Sequence, residues 1–509
     1  MKKLSGGNQI KWGAILSYVA IVVNIIATLL YTPWMKNQIG VSNYGLYTLA
    51  ISFISLFMMD FGIGAATARF VAKYRAEGDT QAVNNLLGLV YKLYLLIDAA
   101  VALVLLVLFF FLEAVYAGLT PGELSQFKEL YIIVSAFNLF SFPFTTLNGV
   151  LNAYEKFVPL KLCDMFHKLS SILFVVCVLL GGLGLRALVL VNSLSGVITI
   201  LIKLGIVKKT TPAKADWHTR DTALFRQIAG FSVWMCVAGI AERLMYNITP
   251  SILGAVSTSY HVALFSPAWS ISQYFYTIAA AINGLFLPTI SRKIAENKEN
   301  EILPLMIQTG RFQMAVLGLL YVGFWVVGKE FMCLWMGEEF APAYYCALLL
   351  ALPNVIQYSQ QIANTTMIAK NMVKYTALSW LTGSLVNVAL SVFLSARYGV
   401  IGAGVALFIG TMVYMALTNV CYHRLLHIDV FRFYKACYLP MLIPMVGGIA
   451  LSTLLTRLVP LDGWTGLVTK GMITAAVFAV LVFIFHLSKA EKRRIVSVFK
   501  RTERSNPNG

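Results

Sequence analysis

An adjacent glutamate and arginine, Glu242 and Arg243, sit inside the otherwise apolar stretch from Gln227 to Gly254. A charge at bilayer depth costs about 2.5 to 3.5 kcal/mol on insertion scales, so such a residue faces a partner or a water-filled cavity. At helical spacing Arg243, Tyr246, Asn247 and Pro250 fall at i, i+3, i+4 and i+7, which predicts a polar stripe ending at a proline kink. This helix is expected to form one wall of a wet pathway. The alternative is a structural ion pair between packed helices.

Two other segments carry polar groups of the same kind. Asn24, Thr28 and Tyr31 share one face of the first apolar span. Asp60 precedes Phe61-Gly62-Ile63-Gly64, where glycines permit a bend or close helix approach, and Arg69 follows. Asp60 is open between pairing with Arg243, acting as a protonatable group, and plain packing. Further charged or ionisable residues within spans are Lys92, Asp98, Asp164, His167, Lys168, Arg311 and Lys470. Lys168, Arg311 and Lys470 are expected to snorkel to the interface, and Asp164 to favour the positive end of its helix. There is no nucleotide-binding loop, no zinc-protease motif and no cluster with metal-ligand spacing, so no cofactor, metal or catalytic residue is expected.

The elements that position these groups follow from composition. Of 509 residues, 59% are hydrophobic and 12% charged, too few polar groups to cover a soluble fold. An all-α polytopic membrane protein is expected, with fourteen spans near residues 12–34, 44–68, 86–112, 130–152, 164–182, 186–207, 228–253, 260–290, 305–327, 343–367, 375–396, 400–422, 436–457 and 465–488. Loop charge tests this segmentation, because Lys and Arg are retained on the cytoplasmic side. Alternate loops carry 29 Lys and Arg on one side and 6 on the other (Lys36, Lys128, Arg186, Lys329, Arg397, Arg457), which predicts that both termini are cytoplasmic. The net charge of +18 follows from this bias and from anionic inner-leaflet lipid, so nucleic acid is not expected as a partner. The seven cysteines show no CxxC spacing and read as small apolar packers.

The chain repeats itself at an offset near 216. Thr32-Pro33 matches Thr249-Pro250, Tyr44 matches Tyr260, Ala153 matches Ala369, Leu162 matches Leu378, and Gly184 lies against Gly399 at an offset of 215. Six helices is an even number, so the copies enter from the same side as a parallel pair. The expected organisation is a six-helix lobe at 1–207, a cytoplasmic linker at 208–227, a second six-helix lobe at 228–423, two further helices at 436–488 and a basic cytoplasmic tail at 489–509. Asn24 shifted by 217 is next to Glu242, so the lobes present polar groups at matching depth.

These features, with the segments MMDFGIGAATARFVAKYRAEGD (Met58 to Asp79) and YTPWMKNQIGVSNYGLYTLA (Tyr31 to Ala50), resemble the Wzx-type oligosaccharide flippases. That group is the polysaccharide transporter branch of the superfamily that also holds MATE exporters and the lipid II flippase. The resemblance covers essentially the whole chain. It implies a bacterial inner-membrane protein, not an enzyme, that moves undecaprenyl-diphosphate-linked oligosaccharide, a surface polysaccharide or O-antigen (lipopolysaccharide) repeat unit, from the inner to the outer leaflet. It implies substrate contacts among Asn24, Tyr31, Asp60, Arg69, Glu242, Arg243, Tyr246 and Asn247, with Arg243 toward the diphosphate and Arg69 at the cytoplasmic mouth. Membrane lipid and the glycan polymerase machinery are the implied partners, and the last two helices would offer a groove to the prenyl tail. Coupling to a proton or sodium ion through Asp60 or Glu242 stays open. A MATE-like cation-coupled exporter is the alternative and predicts an acidic cavity. A glycosyl-transfer enzyme would need a sizeable catalytic external loop, and the longest here, Glu113 to Glu129, is short.

Overall fold

A computed structural model describes residues 6–57, 62–219, 236–283, 286, 290, 292–294, 296, 298–370, 372–487 and 491–492. Asp60, residues 220–227 of the expected linker and most of the expected tail lie outside them. The helices are α1 (Gly6–Ile39), α2 (Val41–Ser55), α3 (Ile63–Ala76), α4 (Thr80–Val115), α5 (Pro121–Ser141), α6 (Thr146–Ala153), α7 (Phe157–Leu180), α8 (Gly184–Thr210), α9 (Thr249–Val256), α10 (Ser259–Asn283), α11 (Ile302–Met336), α12 (Ala341–Ser359), α13 (Gln361–Ala369), α14 (Val373–Leu426), α15 (Val430–Cys437), α16 (Leu439–Thr456) and α17 (Gly463–Leu481). Residues 236–242 are also helical.

The all-helical polytopic fold expected from composition is present. Nine helices among the described residues are long and apolar enough to cross a membrane. Their surfaces show why: α4 exposes Leu96, Leu103 and Phe110, an outward apolar face that water would penalise and acyl chains accept. Each of the fourteen expected spans falls on helix over its described residues, with interruptions that have local causes. The second span breaks between Ser55 and Ile63, where Gly62 takes a left-handed conformation (φ 74°). Two expected spans, 375–396 and 400–422, appear as one run, α14, in which Gly399 is non-helical (φ 54°, ψ −132°). Gly184, set against it by the expected offset, also has positive φ (72°).

The chain divides into two compact units, Met1–Ser266 with Ala377–Tyr414, and Pro267–Thr376 with Met415–Gly509. The first has a core built from Phe70, Leu86, Tyr94, Phe142, Leu147 and Leu151. Tyr94 meets Phe142 edge to face at 5.0 Å. The irregular segment 211–219 is laid along α4, where Asp216 N donates to the Asn84 carbonyl at 3.0 Å and Lys92 Nζ donates to the Thr219 carbonyl at 2.8 Å. Lys92 is thus a structural tie. The second unit is centred on Met306, Met314, Phe433, Met441 and Phe478.

Within the first unit the two halves of α14 cross at glycine. A Cβ on Gly383 would stand 2.6 Å from the Gly410 carbonyl oxygen, and one on Gly410 would stand 2.7 Å from that of Gly383. Overpacking of this kind costs about 1 to 3 kcal/mol. Gly383→Val is expected to lower the melting temperature of the detergent-solubilised protein clearly. Gly205→Ala in α8, where a Cβ meets nothing within 4 Å, should leave it unchanged or slightly raised. Equal melting temperatures for the two variants would contradict this crossing.

Candidate functional site

Helix α1 has two outward faces of opposite character. Val22, Ile26 and Leu30, spaced i, i+4, i+8, are 55%, 52% and 71% exposed, as befits a lipid-facing stripe. On the opposite side Asn24 is exposed and Thr28 and Tyr31 are half-buried. An exposed polar stripe on a spanning helix faces water, because its groups cannot be satisfied by acyl chains.

The neighbour of that stripe is α7. Lys168, near the middle of this 24-residue helix, is half-buried and places its Nζ 3.5 Å from Thr28 Oγ1. No carboxylate among the described residues pairs with it. The snorkelling expectation does not hold for Lys168: it is too far from the helix ends, and its ammonium turns to the polar side of α1. Arg311 and Lys470 differ from it, since each has a carboxylate, Glu491 at 3.2 Å and Glu330 at 2.8 Å. Around Lys168 the other ionisable residues of α7 are engaged. Asp164 accepts from Lys203 at 3.0 Å, and His167 Nδ1 lies 3.4 Å from Ser195 Oγ, which in turn meets Ser170 at 2.7 Å.

The second group of candidates surrounds an irregular turn. Helix 236–242 passes into a π-helical turn at Arg243–Asn247, where Ile248 N donates to the Arg243 carbonyl at 3.1 Å. Pro250 explains part of this, because it lacks the N–H that a regular helix would send back to residue 246. The wider winding adds about one residue to the turn, so the expected stripe stops short. Pro250 is buried, while Arg243, Tyr246 and Asn247 are half-buried and Glu242 is exposed. Two carbonyls of this turn, Leu244 and Met245, accept from the fully buried Asn387 Nδ2 at 3.2 and 3.1 Å. Asn387 escapes a reading by periodicity, and its only signal is a lone amide in an apolar run. Asn247 Nδ2 donates to Ser55 Oγ at 3.3 Å, and the Tyr246 ring meets Trp380 at 6.2 Å, which stacks on Tyr414 at 5.6 Å.

The structure thus brings Lys168 to Thr28, on the face of α1 that also carries Asn24 and Tyr31, and ties Tyr246 to Trp380 and Asn247 to Ser55. Helix α2 packs against both α1 and the π turn. Arg69 stands exposed on α3, in the segment that ends at Arg75, which holds the Ala153 carbonyl at 2.8 Å. At the end assigned by loop charge to the non-cytoplasmic side, Glu123 ties three segments together. Its carboxylate accepts from Ser42 Oγ at 2.5 Å, from Thr120 N and Oγ1 at 2.9 Å each, and from Ser259 Oγ. Gly45 and Gly118 permit this closeness, since a Cβ on either would strike the Ser259 or Ser257 carbonyl oxygen at 2.1 or 2.2 Å.

The second unit holds an apolar groove of about 350 Å³ lined by Ile271, Tyr274, Ile278, Leu320, Gly323 and Gly471, among others. A Cβ added at Gly323 or Gly471 meets nothing within 4 Å. The Tyr274 hydroxyl has no partner among the described residues.

A hydrated face on α1 is directly measurable. In a cysteine-free background, Asn24→Cys and Thr28→Cys should react with a charged, membrane-impermeant thiol reagent at least about tenfold faster than Val22→Cys and Ile26→Cys, because the hydrated thiolate is the reacting form. Equal rates on the two faces would remove the wet pathway.

The profile of the family described as "Polysaccharide biosynthesis protein" matches residues 10–292. Among solved structures, the chain is similar to the lipid II flippase MurJ in an inward closed conformation, with 16% identity, a TM-score of 0.68 and coverage of 93% of this chain and 98% of that one. It is similar also to an inward-facing multidrug resistance MATE family transporter of the MOP superfamily (13% identity, TM-score 0.62, 81% and 99% covered). A curated relative, the probable low-salt glycan biosynthesis flippase Agl15 of Haloferax volcanii, is 24% identical over 228 residues, or 45% of this chain and 48% of the relative. The chain spans about half the length of that relative. On a fold shared with MurJ and the MATE transporters, and with more than half its length matched by the profile, the chain belongs to the polysaccharide biosynthesis protein family.

Proposed function

We propose that the protein is a flippase for lipid-linked glycans, and specifically that it carries undecaprenyl-diphosphate-linked oligosaccharide from the inner to the outer leaflet of a bacterial inner membrane. Both termini would be cytoplasmic. The repeat halves at 1–207 and 228–423 would rock in alternating access. The observation that carries this reading is the polar face of α1 with the Lys168 ammonium beside Thr28 and no carboxylate partner among the described residues.

The physics of the cargo supports it. Sugar hydroxyls cannot enter hydrocarbon without losing hydrogen bonds to water, so the head group needs a hydrated face. The diphosphate is anionic, and an unshared ammonium is a suitable point charge for it. Arg243 and Arg69 would extend the cationic path, with Asn24, Tyr31, Tyr246 and Asn247 offering hydrogen bonds to sugar. The apolar groove of the second unit would take the prenyl tail. With the cytoplasm negative, outward movement of the head group is favoured by about 2.3 kcal/mol per charge for each 100 mV. A cation exporter would instead want a carboxylate where Lys168 stands.

Deletion of the gene should leave lipid-linked repeat units on the cytoplasmic leaflet, and undiminished glycan assembly would refute the assignment. Lys168→Gln should lower surface glycan by about tenfold to hundredfold, the worth of one hydrogen bond to a charged group, with Lys168→Arg retaining more and protein levels unchanged. Arg243→Ala should likewise abolish surface glycan without loss of the protein from the membrane.

The tail assignment has its own check. Gly323→Leu and Gly471→Leu add side chains where space is open, so the protein should remain folded while transport of long-chain prenyl substrates falls. Unimpaired transport in both would free the groove of that role.

A further inference from the structure

We infer that a second cavity, between the start of α11 and the short helix α15, holds the phosphate of an anionic phospholipid of the cytoplasmic leaflet. The cavity has a volume of about 400 Å³; Leu303, Pro304 and Ile307 form an apolar wall, and Arg311, Arg432 and Glu491 line the remainder. The inference rests on the sidedness that loop charge assigns, and it needs no statement about what the protein transports.

The charges in the cavity do not balance. Arg311, with a side chain only 13% exposed, is fixed by Nη1 donating to the Ala436 carbonyl at 2.9 Å and by its ion pair with Glu491 at 3.2 Å. The Arg432 guanidinium has no carboxylate partner among the described residues, the Asp429 carboxylate being engaged as a helix cap by the Arg432 backbone N–H at 2.9 Å. Two guanidinium groups against one carboxylate leave one positive charge, which a phosphodiester monoanion neutralises. Arginine suits this ligand, because its planar fork meets two phosphate oxygens at once and desolvates more readily than an ammonium.

The surroundings favour a lipid over a free ion. Helix α15 buries Phe433 and Cys437 completely and turns Arg432 and Lys435 outward beside Phe431, which is 79% exposed. Leu439 just beyond is exposed as well. A bare phenylalanine next to arginine is the pattern of a helix lying at the headgroup and acyl boundary, where basic side chains meet anionic lipid. The apolar wall of Leu303, Pro304 and Ile307 provides a surface for glycerol and the first acyl carbons, for which inorganic phosphate has no use.

The test is native mass spectrometry of the full-length protein in detergent with added dioleoyl-phosphatidylglycerol, dioleoyl-phosphatidylcholine or inorganic phosphate. Phosphatidylglycerol should be retained in preference to phosphatidylcholine, and millimolar phosphate should not displace it. Arg432→Gln should cut retention by at least about fivefold, which corresponds to the roughly 1 kcal/mol of one basic residue at an anionic surface. Gln308→Trp, which fills the cavity from its exposed edge without removing charge, should do the same. Lys435→Gln, on α15 but outside the cavity lining, should change retention by less than half as much. Equal losses in Arg432→Gln and Lys435→Gln would mean general surface attraction and overturn the site. Absence of any preference for phosphatidylglycerol, undiminished retention in Gln308→Trp, or ready displacement by phosphate would each overturn it too.

Discussion

A charge drawn into hydrocarbon must be paired, wetted or moved out, and this single requirement sorts the basic residues that the spans contain. Lys92 reaches a carbonyl of the irregular segment 211–219, Arg311 and Lys470 each reach a carboxylate, and these three are accounted for as parts of the scaffold. Among the described residues Lys168 reaches a hydroxyl at 3.5 Å and no carboxylate. In the proposed reading Lys168 and the exposed amide of Asn24 share a wet side of α1. The apolar stripe on the opposite face of that helix is the complement that such a side requires.

The backbone obeys the same requirement. A helix that loosens inside a membrane frees carbonyls that no water can satisfy, and the π turn at Arg243–Asn247 would be prohibitive without a donor brought to it. Asn387 is that donor, buried and aimed at two carbonyls. The turn is therefore held in place from α14 as well as imposed locally by Pro250. Its consequence is that Arg243, Tyr246 and Asn247 are presented by a segment already unwound from regular geometry. Unwound segments at membrane depth are tolerated where they line protein or a cavity, which accords with the half-buried state of all three.

Much of this was legible in the residues. The expected spans fall on helix over their described residues, and the boundary between 396 and 400 coincides with the non-helical Gly399, a conformation that glycine adopts without the cost a side chain would bring. Most charges inside spans could be picked out from the sequence, although Lys203, within the span 186–207 and paired with Asp164, was missed. What periodicity could not supply was the identity of their partners. Lys470 and Glu330 are 140 residues apart and Arg311 and Glu491 are 180 apart, so nothing local distinguishes these cations from Lys168, and all three read alike as snorkelling. The π turn was equally invisible, because a stripe drawn at 3.6 residues per turn assumes the winding it is meant to reveal.

In the proposed transport cycle, a lysine without a carboxylate partner among the described residues has a consequence for turnover. A carrier must hold its cargo well enough to gather it and loosely enough to give it up, and it gains nothing from affinity that is the same in every state. A guanidinium fork locked between neighbours would grip a diphosphate in one geometry and resist release. In the proposed cycle an ammonium on a flexible stem, beside Thr28, would adjust as the walls around it shift. The Arg311 guanidinium, held by Glu491 and the Ala436 carbonyl, is by contrast fixed in the scaffold, so the lysine is the cation that can follow such a cycle.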